Sequence, residues 1–352
     1  FVKTSNDGNS AKVCHAHLYG MRKNKYEWLM QNGIDTTSWE TLVPQKPFYL
    51  FTPHDHKLNI EYHKGWCLTD IEQTNSVGIV TARDNLTIQW DDDAVWKTVK
   101  QFSDMDEEKA RYIFQLGKDA RDWKVSLAQA DVRESGPNKK YIKKVLYRPF
   151  DIRSIYYTAK TRGFVCMPRP EVMYHMLAGA NLGFHTCRQI VSETWQHIQV
   201  TNKITDDCYV SNKTRERGYL FPLYLYPKAE KGDLFEHGQW PAGKDGRVPN
   251  LAAEFVEELA GKVKLEFVTE GAGDLKKTFG PEDVFYYIYG VLHSPEYRRR
   301  YAEFLKIDFP RVPLPGGKGL FGKLSRAGGE LAGLHLLEAE ELEEAKRWPA
   351  FD

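Results

Sequence analysis

Several features that mark other classes of protein are absent from this sequence. No run approaches 18 apolar residues, so no membrane-spanning helix is predicted. The five cysteines are widely spaced without a Cys-x-x-Cys pair, which argues against a disulfide framework or a zinc site and fits a reducing cytoplasm. The sequence begins at Phe1, without Met and without a signal-peptide pattern. We therefore expect a cytoplasmic protein that is part of a longer polypeptide.

An overall excess of charge of one sign is also missing, because 49 Lys and Arg balance 48 Asp and Glu. One stretch departs from this balance. Residues 139–169 hold nine cations and a single anion, Asp151, with six aromatic residues among them. Cations mixed with planar side chains are typical of surfaces that bind phosphates and bases. A solvated strand pair with lysines at its edge is the alternative interpretation.

A second stretch, residues 187–218, is rich in the side chains that contact nucleic acids. Arg suits guanine, and Asn and Gln suit adenine, because their donors and acceptors match those base edges. An exposed polar loop is the alternative here. The two stretches together supply the candidate DNA-binding residues, which are Lys143, Arg148, Arg153, Lys160, Arg162, Arg169, Arg188, Gln189, Asn202, Lys203, Lys213, Arg215 and Arg217.

A glycine-rich segment near the C-terminal end does not predict a nucleotide site. Residues 317–322 (GKGLFG) match a dinucleotide fingerprint by letter, but prolines interrupt the strand that should precede it. The segment also fits a phosphate loop poorly, because Leu324 replaces the Ser or Thr that would bind magnesium. We interpret it as a flexible linker.

Residues that would form a catalytic or metal site are not evident. His54, His56 and His63 lie near Asp55, but their spacing is poor for a metal site on a helix. No nucleophile elbow is present, and no set of carboxylates suggests a metal-dependent nuclease. We therefore predict no catalytic residue and no metal ligand.

Apolar periodicity and turn residues predict a mixture of helices and strands. Two or three short helices are expected between residues 91 and 130, one after a cap at Asn250, and others over residues 22–31, 170–177, 281–292 and 294–305. A hairpin is expected over residues 78–89, and strands over 154–158, 182–187, 198–201 and 219–225. The predicted fold class is α+β, with a mixed β-sheet domain and a helical section from about residue 250.

Six strings in a fixed order carry a resemblance to a known family. They are residues 147–151 (YRPFD), 169–177 (RPEVMYHML), 221–224 (FPLY), 282–289 (EDVFYYIY), 294–298 (SPEYR) and 308–314 (DFPRVPL). This set resembles the C-terminal specificity region of the single-polypeptide Type I (Type ISP) restriction–modification enzymes of prokaryotes. The resemblance covers almost the whole chain.

The resemblance implies a place in a large enzyme that also has a nuclease, a helicase-like motor and an adenine-N6 methyltransferase. Residues 1–66 are then the tail of the methyltransferase domain and a connector, and residues 67–352 are the target-recognition domain. The Asn-Pro-Pro-Tyr and Phe-x-Gly-x-Gly motifs of the methyltransferase are absent, so we expect no cofactor in this chain. The resemblance implies S-adenosylmethionine, ATP and Mg²⁺ for the parent enzyme.

The expected partners are double-stranded DNA and the adjacent methyltransferase domain. Residues 139–169 are predicted mainly to hold phosphates, and residues 188–217 mainly to probe base edges in the major groove. Two other functions stay open at this point. One is a protein-docking module of the same large enzyme, with the helices of residues 281–305 as its contact. The other is a self-contained nuclease.

Overall fold

The computed structural model describes residues 12–46, 49–120, 122–209, 216–227, 240–339 and 342. The chain divides into two compact units, Phe1–Lys64 and Gly65–Asp352. The sequence prediction placed its domain boundary two residues later, and the assignment of the first part to a methyltransferase stays a prediction. Within the described part of the chain, no helix combines the length and the apolar character needed to cross a membrane.

Within its described residues, the first unit contains two strands and two helices. They are β1 (Val13–His15), α1 (Arg22–Gln31), β2 (Glu40–Leu42) and α2 (His56–His63). The strands pair antiparallel, and α1 has the bounds predicted from the sequence. None of the residues of α1 is buried, although Tyr26, Leu29 and Met30 are large and apolar. This helix therefore has no core of its own.

The second unit contains eleven α-helices within its described residues. They are α3 (Leu68–Ile71), α4 (Asp84–Thr87), α5 (Asp92–Asp104), α6 (Glu107–Ile113), α7 (Val125–Ser135), α8 (Pro170–Leu177), α9 (Ala253–Val263), α10 (Pro281–His293), α11 (Pro295–Arg300), α12 (Ala302–Leu305) and α13 (Lys318–His335). Two 3-10 turns, Lys139–Tyr141 and Lys244–Gly246, accompany them. The predicted helices at 170–177 and 281–292 and the short helices between 91 and 130 are confirmed.

The strands of the second unit are short. They are β3 (Trp66–Cys67), β4 (Ser76–Val77), β5 (Ile88–Gln89), β6 (Ile142–Arg148), β7 (Asp151–Tyr156), β8 (Gly183–Cys187), β9 (Ile198–Thr201), β10 (Ile204–Thr205), β11 (Gly218–Pro222), β12 (Tyr224–Leu225), β13 (Val248–Pro249), β14 (Glu266–Phe267), β15 (Thr278–Phe279) and β16 (Arg311–Val312). One four-stranded sheet, the first sheet, has the order β10-β6-β7-β5, and the second sheet has the order β4-β11-β8-β9. The fold is a mixture of helices with several small sheets.

A backbone seam joins the two four-stranded sheets. Ile79 N donates a hydrogen bond to Thr205 O at 2.8 Å, and Asp207 N donates to Ile79 O at 3.0 Å. Gly78 N then donates to Gly218 O, which begins β11 of the second sheet, at 2.9 Å. A Cβ on Gly78 would lie 2.5 Å from the carbonyl of Asp206, so only glycine permits this approach.

Two apolar cores support the first sheet. One lies among α5, α6 and α7 and includes Val99, Phe102 and Trp123. The other lies between the sheet and α8 and includes Val145, Ile155 and other buried residues of these elements. The ends of β6 and β7 are thus held from both faces, which fixes the side chains that project from them.

Three local predictions are wrong. Residues 78–89 do not form a hairpin, because β4 pairs with β11 and β5 pairs with β7. Asn250 does not cap α9, which follows Ala252; its amide instead hydrogen-bonds to the backbone of Thr74 and Pro222. The predicted flexible linker at 317–322 is the beginning of α13.

Candidate nucleic-acid interface

Arg148 is the last residue of β6 and pairs with a buried acid beside the neighbouring strand. Its Nη1 donates to Asp206 Oδ1 at 2.7 Å, and the side chains are 22% and 4% exposed. The backbone holds Asp206 in place, because its N–H donates to Leu146 O at 3.1 Å. The Cys208 N–H also donates to Asp206 Oδ1, at 3.0 Å. A rigid strand pair therefore orients this arginine.

Arg217, from the second cationic stretch, pairs with the next residue along. Its Nη1 donates to Asp207 Oδ2 at 2.8 Å, and the side chains are 55% and 7% exposed. Gly218 N donates to Asp207 O at 2.9 Å, so the backbone next to Arg217 is tied to the same aspartate. Arginines from the two predicted segments thus converge on consecutive aspartates at the seam.

A ladder of planar groups extends from Arg148 across the first sheet. The guanidinium carbon of Arg148 lies 3.8 Å from the ring centre of Tyr147, and that of Arg153 lies 4.5 Å from the same ring. Arg153 also lies 3.9 Å from the ring of Trp90, which is 71% exposed. Asp151 accepts from Arg153 through both carboxylate oxygens. The cations of this ladder are fixed by stacking and by bidentate hydrogen bonds.

A third carboxylate, that of Asp84, adds negative charge near Asp206 and Asp207. Tyr147 donates its hydroxyl to Asp84 at 2.8 Å, and burial together with that bond raises the pKa of Tyr147 to about 12. Burial raises the pKa of Asp206 to about 7, and Asp84 adds to the rise while Arg148 opposes it. The arginines therefore stabilise carboxylates that would otherwise be costly to bury.

The remaining predicted phosphate contacts are held more loosely. Lys160 pairs with Glu134, and both side chains are largely in solvent. Arg162 Nη2 lies 3.7 Å from Asp122 Oδ1, and the Arg162 side chain is 66% exposed. Lys143 is half-buried on β6. Surface pairs of this kind contribute little to stability, so Lys160 and Arg162 are available to another anion.

Arg162 and Arg169 line one cavity of about 260 Å³ beside the start of α8. Both have left-handed backbone conformations, with φ of 59° and 54°. Arg169 Nε is buried and has no hydrogen-bond partner among the described residues. The carboxylates of Asp122 and Glu171 also line the cavity, so its charge is mixed.

Two of the predicted base-reading residues contact the segment after α12. Arg188 Nε donates to Asp308 Oδ1 at 2.9 Å, and both side chains are more than half exposed. Gln189 Nε2 donates to Ile307 O at 3.3 Å. These hydrogen bonds link the residues that follow β8 to the residues that follow α12. Arg148 and Arg217, in contrast, pair with the two aspartates at the seam.

Asn202 and Lys203 lie in the turn between β9 and β10. Asn202 Nδ2 donates to Glu338 Oε1 at 3.0 Å, and Lys203 Nζ donates to Asn202 Oδ1 at 2.7 Å. Both residues line a cavity of about 430 Å³. Lys213 and Arg215, which were also predicted, lie outside the described residues.

Sequence reasoning missed the acids and the exposed aromatic of this site. Asp206 and Asp207 stand within the second predicted stretch, but attention to cations alone passed over them. Asp84 lies within residues 78–89, for which a hairpin was predicted that does not form. Trp90 follows β5 directly, and its stacking on Arg153 depends on the antiparallel pairing of β5 with β7.

The fold is shared with proteins whose structures were solved in complex with DNA. The Type ISP restriction–modification enzyme LlaGI, a nuclease-deletion mutant in complex with a DNA substrate mimic, is 21% identical, with a TM-score of 0.59 over 100% of this chain. The DrdV–DNA complex is 19% identical over 89% of the chain, with a TM-score of 0.58. The DNA-bound, ATP-dependent Type ISP enzyme LlaBIII is 17% identical over 85%, with a TM-score of 0.53.

This chain spans 30%, 29% and 18% of the LlaGI, DrdV and LlaBIII chains, respectively. No curated protein matches it. The family described as the Type ISP C-terminal specificity domain matches residues 70–349. Because that match covers most of the sequence, the chain belongs to this family, and the resemblance found in its six strings is confirmed.

Proposed function

We propose that this chain recognises the DNA target of a Type ISP restriction–modification enzyme. The chain belongs to a family of specificity domains. Within that family, the observation that carries the proposal is that Arg148 and Arg217, from two distant segments, pair with the consecutive aspartates Asp206 and Asp207 at the seam. The exposed ring of Trp90 stacks on Arg153 of the first sheet, and in this proposal these groups belong to one DNA-binding surface. Such a surface suits a polyanion that also offers flat, hydrogen-bonding bases.

The contacts divide by how firmly each cation is held. Loosely held side chains such as Lys160 and Arg162 suit phosphates, whose charge attracts cations without demanding a fixed geometry. Firmly held guanidinium groups suit base edges, because reading a base requires a fixed direction. The sequence predicted mainly phosphate contacts for all of residues 139–169. In this proposal Arg148 and Arg153, which lie in that range, belong to the firmly held group that suits base edges.

Catalysis belongs to other parts of the parent enzyme in this proposal. A methyltransferase must extract an adenine from the stacked duplex, and a separate surface is needed to hold the duplex in register meanwhile. S-adenosylmethionine, ATP and Mg²⁺ would serve those other parts. The role of this chain is to select the place on the DNA where they act.

We further propose that the first unit is the tail of the methyltransferase domain and packs against the rest of that domain. The support is α1, which has no buried residue and exposes Tyr26, Leu29 and Met30. Exposed apolar side chains at this density are typical of surfaces that another protein surface covers. This proposal is independent of DNA binding, because the seam lies in the second unit.

Fluorescence anisotropy with labelled random duplex DNA tests the main proposal. The chain should bind at low salt, and the logarithm of its affinity should fall linearly with the logarithm of salt concentration. Arg162→Ala should weaken binding to all sequences alike and lower that slope by about one. Arg299→Ala is the matched control, because Arg299 is 76% exposed and pairs locally with Glu296.

The competing functions predict other results. A pure docking module would bind no duplex at the lowest salt, and that result would overturn the proposal. A self-contained nuclease would cut the duplex when Mg²⁺ is added, whereas we expect the substrate to stay intact.

A further inference from the structure

We infer that Arg217 is a specificity-determining residue that contacts a guanine in the major groove, and that Asp207 is its positioning residue. This inference rests on the proposed function, and it assigns one base contact within it. Four observations support it. Arg217 is exposed while Asp207 is buried, and backbone hydrogen bonds anchor the pair. The pair differs in this from the exposed pair of Arg188 and Asp308, and guanine offers acceptors that match an arginine.

The pair joins an exposed guanidinium to a buried carboxylate. Arg217 is 55% exposed and Asp207 is 7% exposed, with Nη1 and Oδ2 2.8 Å apart. A guanidinium carries five N–H donors in a rigid plane. The aspartate therefore accepts from one N–H group, and the 55% exposure of the side chain leaves other donors of the same group accessible to a partner.

The backbone closes a short loop around this ion pair. Asp207 N donates to Ile79 O at 3.0 Å, which ties the aspartate to the seam. Gly218 N donates to Asp207 O at 2.9 Å, and Gly218 immediately follows Arg217. The two residues are thus joined once through their side chains and once through their main chains, so the arginine has little freedom to reorient.

Two other arginine–aspartate pairs lack this combination. Arg188 and Asp308 are 56% and 59% exposed, so solvent screens their attraction and both ends can move. Arg153 is held firmly, but only 21% of its side chain is exposed. Arg217 is both firmly held and open to a partner.

Guanine fits the donors that such an arginine presents. Its O6 and N7 are neighbouring acceptors in the major groove, and a planar fork of two N–H groups reaches both. Burial raises the pKa of Asp207 and Arg217 opposes that rise, so the pair is costly to separate. A guanidinium fixed before binding loses less conformational entropy when it contacts the base.

The test is selection of binding sites from a randomised duplex library by the 352-residue chain and its variants. The unaltered chain should enrich a site that contains a guanine at a defined position. Arg217→Ala should reduce the preference for that guanine by about ten- to a hundred-fold and leave the other positions unchanged. Arg217→Lys keeps the charge but not the planar fork, so it should lose the same preference.

Asp207→Asn separates positioning from charge. The arginine keeps its cation, so the salt slope on random duplex should not fall, whereas the guanine preference should weaken. Arg299→Ala serves as the control and should leave both the site and the slope unchanged. Thermal unfolding of each variant shows whether it is folded at the assay temperature, and Arg217→Lys provides the second route if Asp207→Asn does not fold.

The outcomes distinguish the inference from the proposed function. If Arg217→Ala weakens binding to all duplexes alike and lowers the salt slope by about one, Arg217 contacts a phosphate and the inference is wrong. A chain that binds every duplex equally overturns both the inference and target recognition, although DNA binding itself stands. A chain that binds no duplex at low salt overturns the proposed function.

Discussion

Arg148 Nη1 lies 2.7 Å from Asp206 Oδ1, and the two residues stand at the carboxyl ends of parallel neighbouring strands. The register pairs Thr205 with Leu146, so the following aspartate comes beside the end of β6. Strand pairing, and not a local motif, therefore places Asp206 beside Arg148. The next residue, Asp207, forms the corresponding ion pair with Arg217 of the second cationic stretch.

The buried acid of this pair should matter for stability far more than an exposed one. Asp206→Ala removes the partner of Arg148 and the acceptor of the Cys208 N–H. The arginine is only 22% exposed, so we expect a loss of about 1–3 kcal/mol in the free energy of unfolding. Urea unfolding followed by circular dichroism measures it.

Glu134→Ala is the matched comparison, because Glu134 pairs with Lys160 at the surface. This change should alter the free energy of unfolding by less than about 1 kcal/mol. Equal effects of the two substitutions would show that the seam does not hold its arginine as described.

Gly328 should tolerate no side chain, although it lies within a helix. A Cβ there would overlap the Tyr286 carbonyl oxygen of α10 and lie 2.9 Å from Gly290 N. These are backbone atoms and cannot move aside singly, so Gly328→Ala should destabilise the chain by about 1–3 kcal/mol or more. Thermal unfolding checks the change.

Gly329→Ala provides the control on the same helix. Its Cβ would meet the Tyr286 ring at an ordinary 3.5 Å. Because Ala favours helix more than Gly does, this variant should be neutral or gain up to about 1 kcal/mol. A Gly328→Ala variant as stable as Gly329→Ala would contradict the close packing of α10 and α13.

Glu72 should make folding less favourable as pH rises. Its side chain is fully buried, and neither carboxylate oxygen has a hydrogen-bond partner among the described residues. Burial raises its pKa well above the ordinary value, so the folded state holds the proton more tightly than the unfolded state. Stability is then greatest below the unfolded pKa and falls as pH rises toward the folded pKa.

Glu72→Gln removes this titration and keeps the side chain's shape. Between about pH 5 and about pH 8, the variant should lose less free energy of unfolding than the unaltered chain. The exposed Glu257→Gln in α9 is the control and should follow the unaltered chain. If the free energy of unfolding changes with pH in the same way in all three proteins, the account of Glu72 as a buried carboxyl group that lacks a hydrogen-bond partner is wrong.

Local signals in the sequence were enough to predict several helices. Pro170 at the first position begins α8. Ser294, followed by Pro295, begins α11, and its hydroxyl accepts the Tyr297 N–H as a helix cap does. These features depend on residues within one turn, which is why sequence reasoning finds them.

Features that depend on distant residues were not predictable in the same way. The glycines of residues 317–322 suggested a flexible linker, but the segment begins a long helix, α13, and Gly328 within that helix allows it to pack against α10. Asp206 pairs with an arginine 58 positions away, and the partner follows from strand register alone. The cationic segments were recognised from composition, whereas the acids that orient them required the fold.

Arginine footprinting tests the central claim most directly. Phenylglyoxal modifies exposed guanidinium groups, and mass spectrometry reports the rate at each arginine with and without duplex DNA. Arg162 and Arg217 are 66% and 55% exposed, and both should be protected together when duplex binds. Arg299, at 76%, should react at the same rate in both conditions. Protection of only one of the first two, or of neither, would contradict a single DNA-binding surface.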